Sequence, residues 1–379
     1  MATTAFPVFN NMPHPFEKPP ALPVAGMKHR VPLSARNAPS TARDRKSMGG
    51  AYLAPTPRRT MSARPSSAVP GKRPSSDPLI AYGYQTLSPI AQGAFSQVTR
   101  ARHLSTKIEV AVKTFNKAKI NKEEHLAKAM KNELEVLKLL QPSSHANIAN
   151  ILECVETERS ILCVLEYCGG GSLQRHLQGL PGFGSSHHST GAGSEMSRSI
   201  GLQVACALAH MHGQGLAHRD VKPENILFTD ESKRLIKLCD FGFSIACGNR
   251  RVRTVCGSPQ YMAPELSRRE PYHGWACDVW AYAALVFEML EGRPCFRGSS
   301  MEQLNIRIMR ASHEAFTPAT PSAARQLIKS LLVIDPNQRL QSSQIVEHHW
   351  FTGQAAAPAP SMTADVIEQM YGRVMEDQE

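Results

Sequence analysis

The chain of 379 residues is long enough for two or three compact units, and its net charge of +11 is unevenly distributed. Residues 1–80 contain twelve Lys and Arg against three Asp and Glu, so this segment holds most of the excess positive charge. The excess of basic residues is therefore a property of residues 1–80. The net charge alone is weak support for nucleic-acid binding by the remainder of the chain. No apolar run approaches the ~18 residues of a membrane-spanning helix, which excludes such a span in this sequence.

Residues 1–80 also hold fourteen of the twenty-seven prolines, interleaved with Ser, Ala, Arg and Gly. Such a segment cannot bury enough apolar surface to offset its chain entropy, so the composition predicts a disordered basic tail. Its RRTMSARPSS stretch (Arg58–Ser67) is typical of a phosphorylation target, a docking segment for an acidic surface or a solvated linker. An Arg-rich, acid-poor start is also typical of transit peptides, although many prolines oppose the amphipathic helix of such peptides.

All nine cysteines lie between Cys154 and Cys295, without CxxC pairs and without His at the spacing of zinc ligands. This usage predicts reduced thiols in a cytoplasmic or nuclear protein, and argues against a disulfide framework or a zinc site. Cys247 and Cys256 fall in a predicted loop, where they are either redox-sensitive or spectator thiols.

From Tyr84 the pattern changes to short β-rich runs joined by turns, as in an antiparallel meander. Helical spacing of apolar residues then predicts a helix over Asn121–Leu140, two more strands follow, and after Gly171 the pattern is mainly helical. The predicted strands are YQTLSPIA (84–91), SQVTRAR (96–102), IEVAVKTF (108–115), ANILECV (149–155) and SILCVLEY (160–167). The sequence predicts an α+β domain over 81–352, with a small β-rich lobe (about 84–167) and a larger helical lobe (about 172–352).

Two further segments stand out. GLPGFGSSHHSTGAG (Gly179–Gly193) is a Gly/Ser-rich insertion, and its adjacent His187 and His188 are expected in solvent rather than at a metal. The C-terminal tail, 353–379, contains a net acidic stretch from Ser361 with an apolar stripe at helical spacing: Val366, Ile367, Met370, Tyr371 and Val374. Its acidity argues against a calmodulin-target helix, and the pattern is typical of docking on the folded domain or of a partner site.

The stretch LAHRDVKPENILF (216–228) places Asp220, Lys222 and Asn225 between apolar flanks. This spacing matches the catalytic loop of protein kinases. Phosphoryl transfer explains the residue types, because the transferred group carries negative charge that must be positioned and neutralised. Asp220 would orient the attacking hydroxyl, Lys222 would counter charge on the moving phosphoryl, and Asn225 would offer a neutral oxygen to Mg²⁺.

Six more motifs follow the order of a kinase chain. They are IAQGAFSQV (90–98), VAVK with Lys113, KNELEVLKLL with Glu133, CDFG with Asp240, YMAPE with Glu265, and DPNQRL with Arg339. The first would cover the phosphates with backbone N–H groups, and Lys113 would bridge the α- and β-phosphates. Glu133 is the expected partner of Lys113, and Asp240 the principal Mg²⁺ carboxylate. Glu265 and Arg339 would pair inside the helical lobe.

With these motifs in order, the chain resembles a eukaryotic protein kinase over about Tyr84–Phe351. The resemblance implies the bilobal kinase fold, ATP and Mg²⁺ as cofactors, and protein substrates. The HRDVKPEN and CGSPQYMAPE stretches resemble the Ser/Thr-specific calcium/calmodulin-dependent and AMP-activated kinase-like group. The resemblance to protein kinases also assigns nucleotide contacts. They are the phosphate loop (Ile90, Ala91, Gly93, Ser96), the residues on either side of the adenine (Val98, Ala111, Leu227), the gatekeeper (Leu165) and the hinge (Glu166, Cys168).

The same resemblance assigns supporting roles. Ser258 would hydrogen-bond with Asp220 and Lys222, and Asp278 would be the buried anchor beneath the catalytic loop. Thr254 stands where the family carries an activating phosphate, which Arg219 would capture, whether an upstream kinase or autophosphorylation in trans supplies it. Glu224 and Glu288 match positions that contact substrate arginines, although Ser172 stands where many basophilic relatives carry another acid.

The phosphate loop departs most from the family pattern, since Ala91 and Ser96 occupy two of its three glycine positions and only Gly93 remains. We expect looser ATP binding rather than its loss. The alternative from another class is a pseudokinase or scaffold that binds partners through the lobes and the basic tail. A nucleic-acid binder would depend on the tail charge alone. We expect a monomer without specific nucleic-acid partners.

Overall fold

The computed structural model of the chain describes residues 77–93, 96–120, 122–184 and 191–353, without the side chains of residues 124–126. Residues 1–76 of the predicted tail (1–80), the insertion residues 185–190 with both adjacent histidines, and the segment 354–379 lie outside the described residues. The last four tail residues, 77–80, are described, and Leu79 is buried in an apolar cluster of the first lobe. None of the helices in the described ranges has the length and apolar character needed to cross a bilayer.

The first lobe is a five-stranded antiparallel sheet with strand order β1-β2-β3-β5-β4. Its strands are β1 (Tyr84–Gln92), β2 (Ser96–His103), β3 (Glu109–Asn116), β4 (Ile151–Glu156) and β5 (Ser160–Glu166), and two helices follow β3: α1 (Lys117–Ile120) and α2 (Glu124–Leu140). All five strands predicted from the sequence are present. The predicted helix over 121–140 begins three residues later than expected.

Alternation of side chains along β3 decides which of them face helix α2. Val110 and Val112 are buried in one apolar cluster, whereas Phe115 belongs to a second cluster that packs against Met130 and Leu134 of α2. Because successive side chains of a strand point to opposite faces, Lys113 lies on the same face as Phe115. Lys113 is therefore on the side of the sheet that α2 covers.

The second lobe is mainly helical. It contains α3 (Leu173–Gln178), α4 (Ser194–Gly213), α5 (Pro264–Ser267), α6 (Gly274–Glu291), α7 (Met301–Met309), α8 (Ser322–Leu331), α9 (Ser342–Val346) and α10 (His349–Thr352). Four short strands form two further ladders, β6 (Leu216–Ala217) with β9 (Ile245–Ala246), and β7 (Ile226–Phe228) with β8 (Ile236–Leu238). The predicted α+β bilobal kinase fold is confirmed.

Helix α6 forms the centre of the second lobe, and its side chains are buried on all sides. Trp280 and Tyr282 are fully buried, as expected for a helix that is apolar around its whole circumference. The Glu265 carboxylate and the Arg339 guanidinium form a two-point pair beside it, with N–O distances of 2.7 and 2.8 Å. Arg339 also stacks on the Trp280 ring at 5.0 Å.

We expect Arg339→Gln to lower the free energy of unfolding by about 3–5 kcal/mol, because it leaves the Glu265 carboxylate buried without a cation. Chemical denaturation measures this change. The matched control is Arg310→Gln, since Arg310 is exposed at the end of α7 and should give a change within about 0.5 kcal/mol. Equal effects of the two variants would contradict the assigned role of the pair.

Candidate active site

Lys113, Glu133 and Asp240 form a cluster that joins both lobes. The Lys113 ammonium lies 2.5 Å from a Glu133 carboxylate oxygen and 3.1 Å from Oδ1 of Asp240. Burial opposes the charged form of Lys113, but the two carboxylates outweigh it and raise the pKa of Lys113. Partial burial also opposes ionisation of Asp240, yet the Lys113 charge prevails and lowers the pKa of Asp240. Both groups are therefore charged at neutral pH.

The predicted catalytic loop holds the side chains of Asp220 and Lys222 in contact with each other. Val221 between them is fully buried and anchors the loop in the core. The Asp220 carboxylate lies 2.7 Å from the Lys222 ammonium. Ser258 donates its hydroxyl to Asp220 at 2.9 Å and accepts from Lys222 at 2.8 Å, so the expected three-residue network is present.

Asn225 is oriented by Asp220. Its amide nitrogen donates to the Asp220 carbonyl at 2.8 Å and to the Asp220 carboxylate at 3.1 Å. Both bonds use the nitrogen, so the amide oxygen forms no hydrogen bond within the described part of the chain. An oxygen in this state is suited to a hard cation.

The β7–β8 hairpin brings the two predicted metal ligands together. Asn225 directly precedes β7, and Cys239 and Asp240 directly follow β8. The Cys239 N–H donates to the Asn225 carbonyl at 2.9 Å, which closes the open end of the hairpin. Asp220, Asn225, Asp240 and Lys113 consequently belong to one connected cluster rather than to separate surfaces.

One residue of this cluster and one residue next to it adopt left-handed backbone conformations that non-glycine residues rarely use. They are Asp240 at φ 61° and Arg219, which precedes Asp220, at φ 65°. Each such residue costs of order 1–3 kcal/mol and persists only where its surroundings impose it. For Arg219 the cause is Asp278 of α6, whose buried carboxylate accepts the N–H groups of His218 at 2.8 Å and Arg219 at 2.6 Å. The predicted anchor therefore lies directly beneath the catalytic loop.

Most of the residues assigned to the adenine site lie on neighbouring strands. Val98 is the cross-strand partner of Lys113, and Ala111 is that of Leu165. In the hinge, the Glu166 N–H donates to the Asn150 carbonyl and its carboxylate pairs with Lys237. Cys168 lies two residues after β5, whereas Leu227 is on β7, in the separate two-stranded sheet of the second lobe.

The phosphate loop is described except for its tip, residues 94–95. Ala91 pairs with Val98 across the two strands that carry the loop, and Ile90 before it is exposed. Gly93 does not adopt a positive φ, but a Cβ there would lie 3.2 Å from Ser96 Oγ. Crowding by Ser96, whose backbone carbonyl would also lie 3.4 Å from the added Cβ, is thus what favours glycine at Gly93 rather than a left-handed conformation.

Thr254 and Arg219 are connected through a residue that the sequence reasoning missed. The Tyr272 hydroxyl donates to the Thr254 carbonyl at 2.6 Å and accepts from the Arg219 guanidinium at 3.3 Å. Arg219 also donates to the Phe243 carbonyl at 2.7 Å, next to the CDFG motif. The Thr254 side chain itself is exposed. No local pattern around Tyr272 indicates this contact, which depends on the tertiary fold.

The segment between the CDFG and YMAPE motifs carries two thiols that the sequence leaves open as redox-sensitive or spectator groups. Cys247 is buried and Cys256 half-buried, and burial raises the pKa of both thiols. Since the thiolate is the reactive form, both are less reactive than a solvent-exposed cysteine.

The protein kinase domain family model matches residues 84–351. The CBL-interacting serine/threonine-protein kinase 15 of Arabidopsis thaliana is 33% identical over 267 residues, which cover 69% of this chain and 59% of that protein. The serine/threonine-protein kinase SIK3 homolog of Danio rerio is 31% identical over 305 residues, or 80% of this chain and 24% of that protein. The serine/threonine-protein kinase DCLK3 of Homo sapiens is 32% identical over 274 residues, which cover 70% of this chain and 40% of that protein.

The chain therefore belongs to the protein kinase family. These relatives place it in the Ser/Thr branch, within the calcium/calmodulin-dependent and AMP-activated kinase-like group, as predicted from the motifs. The chain spans 59% or less of the length of these three relatives.

Glu288 makes the free energy of unfolding depend on pH. Burial raises its pKa to about 7, the Tyr261 hydroxyl donates to its carboxylate, and nearby Glu224 adds repulsion. The folded protein thus binds this proton more tightly than the unfolded chain. The resulting stabilisation, at most about 3 kcal/mol, is fully present below about pH 4.5 and is lost as the pH rises through 7.

We expect the free energy of unfolding of Glu288→Gln to decrease less than that of the wild type between pH 5 and 8. Denaturant titrations across this range measure the difference. Glu231→Gln, at an exposed carboxylate in the β7–β8 turn, is the matched control and should retain the wild-type pH profile. A profile for Glu288→Gln identical to the wild type would show that Glu288 titrates normally.

Proposed function

We propose that this chain is an active Ser/Thr protein kinase that transfers the γ-phosphoryl group of Mg-ATP to a protein hydroxyl. The observation that carries the proposal is the connected cluster of Lys113, Asp240, Asn225 and Asp220, in which Lys113 lies 3.1 Å from Asp240. The hydrogen bond from the Cys239 N–H to the Asn225 carbonyl joins the Asp220–Asn225 part of this cluster to the Lys113–Asp240 part. Cations, hard oxygen ligands and a carboxylate oriented by neighbours are what phosphoryl transfer requires.

In this proposal each side chain has one role. Lys113, held by Glu133, neutralises charge on the α- and β-phosphates. Asp220 orients the attacking hydroxyl and accepts its proton. Lys222 lies 2.7 Å from Asp220 and offsets the charge that develops on the transferred group. Ser258 links Lys222 and Asp220 and so fixes their separation.

The residues present fit a magnesium ion that is bound together with a nucleotide. Asn225 offers a free amide oxygen and Asp240 an ionised, half-exposed carboxylate. Within the described ranges, no three His, Cys, Asp or Glu side chains converge to form a metal site on their own. Mg²⁺ commonly binds one or two protein groups plus substrate phosphates, so this sparse set suits it. The ion, when bound, would neutralise charge on the phosphates.

Phosphorylation of Thr254 is proposed to raise activity. Thr254 is exposed, and the contacts of Tyr272 with its carbonyl and with Arg219 already tie this segment to the catalytic loop. A phosphate would add negative charge and three acceptor oxygens beside the Arg219 cation. The donor of the phosphate is either an upstream kinase or a second copy of this chain, since Arg251 before Thr254 gives a basic target sequence.

A preference for basic substrates is proposed on narrower grounds. Glu224 is exposed next to the catalytic loop and free to contact a substrate arginine. Glu288, the second acid expected in this role, is instead 4% exposed and bonded to Tyr261. The arrangement therefore supports one accessible acid and only a modest preference.

We expect wild-type protein to consume ATP in the presence of magnesium and a basic protein substrate. Asp220→Asn should lower kcat by about 10²–10⁴-fold, because it removes the proton acceptor. Asp230→Asn makes the same chemical change at an exposed aspartate outside the site and should retain wild-type kcat. Equally negligible turnover by wild type, Asp220→Asn and Asp240→Asn would favour the scaffold alternative.

Thr254→Ala should reduce the activity of phosphorylated preparations by roughly tenfold or more, the factor that one charge-assisted hydrogen bond supplies. Phosphatase treatment should lower wild-type activity to the same level and leave Thr254→Ala unchanged. Thr106→Ala, at an exposed threonine in the β2–β3 turn, is the control. Undiminished activity of Thr254→Ala would eliminate activation through this residue.

A further inference from the structure

A groove of about 840 Å³ opens on the helical lobe, and none of the residues proposed for catalysis lines it. Its walls are the first turns of α4, the side chain of His176 on α3, and the turn between β7 and β8. Ala192, Met196 and Ile200 contribute an apolar strip, and Lys233 and Arg234 stand at the opposite side in the turn. The groove therefore combines an apolar surface with a basic edge.

The basic edge is partly compensated within the described part of the chain, because the exposed Asp230 of the same turn interacts electrostatically with Arg234. Lys233 donates to Nδ1 of His176 at 3.2 Å, and no salt bridge is formed there by Lys233 or by Arg234. Arg234 is exposed. One acid, the exposed Glu195 at the start of α4, also borders the groove. Among the residues that line the groove, two cations stand against one carboxylate, and this local excess favours an acidic occupant.

The described chain ends beside this groove. The ring of Trp350 in α10 packs against Gly201 of α4, at 3.4 Å from the position that a Cβ would take there. Gly201 is the residue after Ile200, which lines the groove. Residue 353, the last one described, follows Trp350 by three positions. The 26 residues of 354–379 thus leave the fold close to the groove.

We propose that the acidic C-terminal segment Ser361–Glu379 binds in this groove of the same molecule. The segment contains five Asp or Glu and one Arg, which complements the cations of the β7–β8 turn. Its apolar residues include Val366, Ile367 and Met370, which match the apolar strip along α4. The pattern of charge and apolar residues on the two surfaces is therefore complementary.

The connection is long enough for this placement. Seven residues, 354–360, separate the described fold from Ser361, and an extended chain spans ~3.3 Å per residue. Seven residues of α4 separate Gly201 from Ser194 at the start of the helix, a rise of only ~10 Å. The linker exceeds the length of helix that it has to pass.

Hydrogen–deuterium exchange of the full-length chain tests this proposal. In the wild type, amides of 361–379 should exchange more slowly than expected for an unprotected chain. Lys233→Glu combined with Arg234→Glu should raise their exchange rates roughly tenfold, because both attractions become repulsions. Adding Glu376→Lys and Asp377→Lys to that variant should restore the slow exchange through the reversed charge pairs.

The controls separate this effect from misfolding and from association. Lys119→Glu with Lys122→Glu reverses two exposed cations of the other lobe and should leave 361–379 protected. Unchanged exchange in α6 verifies that each variant is folded. The proposal is overturned if 361–379 is unprotected in the wild type, or if the groove reversal leaves its protection intact. Failure of the four-residue swap to restore protection, or protection that requires high protein concentration, would also overturn it.

Discussion

The catalytic loop depends on one buried carboxylate. Asp278 is fully buried in α6 and accepts the backbone N–H groups of His218 and Arg219, and His212 contacts the same carboxylate at 2.9 Å. These bonds hold Arg219 in a left-handed conformation that it would otherwise avoid. Since Asp220 is the next residue, its direction is set by an anchor in the most buried helix of the lobe.

Hydrogen bonds and ion pairs connect this anchored loop to the other charged groups of the site. The β7–β8 hairpin places Asn225 beside the residues that precede Asp240, and Asp240 reaches Lys113 on β3 of the other lobe. Glu133 completes the connection from α2. The separation of charges in the site is therefore maintained by backbone hydrogen bonds and by burial. Preorganised charges of this kind act on a transition state without reorganising at the moment of reaction.

Much of this site could be predicted from the sequence because its motifs are local. The spacing within HRDVKPEN places Asp220, Lys222 and Asn225 on one loop, and β alternation places Lys113 on the face that α2 covers. The resemblance to protein kinases located Asp278 and the Glu265–Arg339 pair, which join distant parts of the chain and have no local signal. The strands of the first lobe were predictable because each has a β-rich run between turns.

Other features could not be predicted because they depend on which residues meet in three dimensions. Tyr272 bridges Arg219 and the Thr254 carbonyl, yet it lies in a stretch without a distinguishing pattern. Glu288 was expected at the substrate surface, but burial beside Tyr261 makes it largely inaccessible. Strands β6 and β9 have two residues each, too few for any alternation to be visible. The basic groove forms from three elements that are separated along the chain.

In the proposed function, Lys113, Asn225 and Asp240 together hold a nucleotide through its phosphates and a magnesium ion. Calorimetric titration of full-length protein with ATP, in magnesium and in a chelator, measures this directly. We expect saturable 1:1 binding that is at least tenfold tighter with magnesium, and loss of that difference in Asp240→Asn. Equal ATP affinity with and without magnesium, or no binding in either condition, would contradict it.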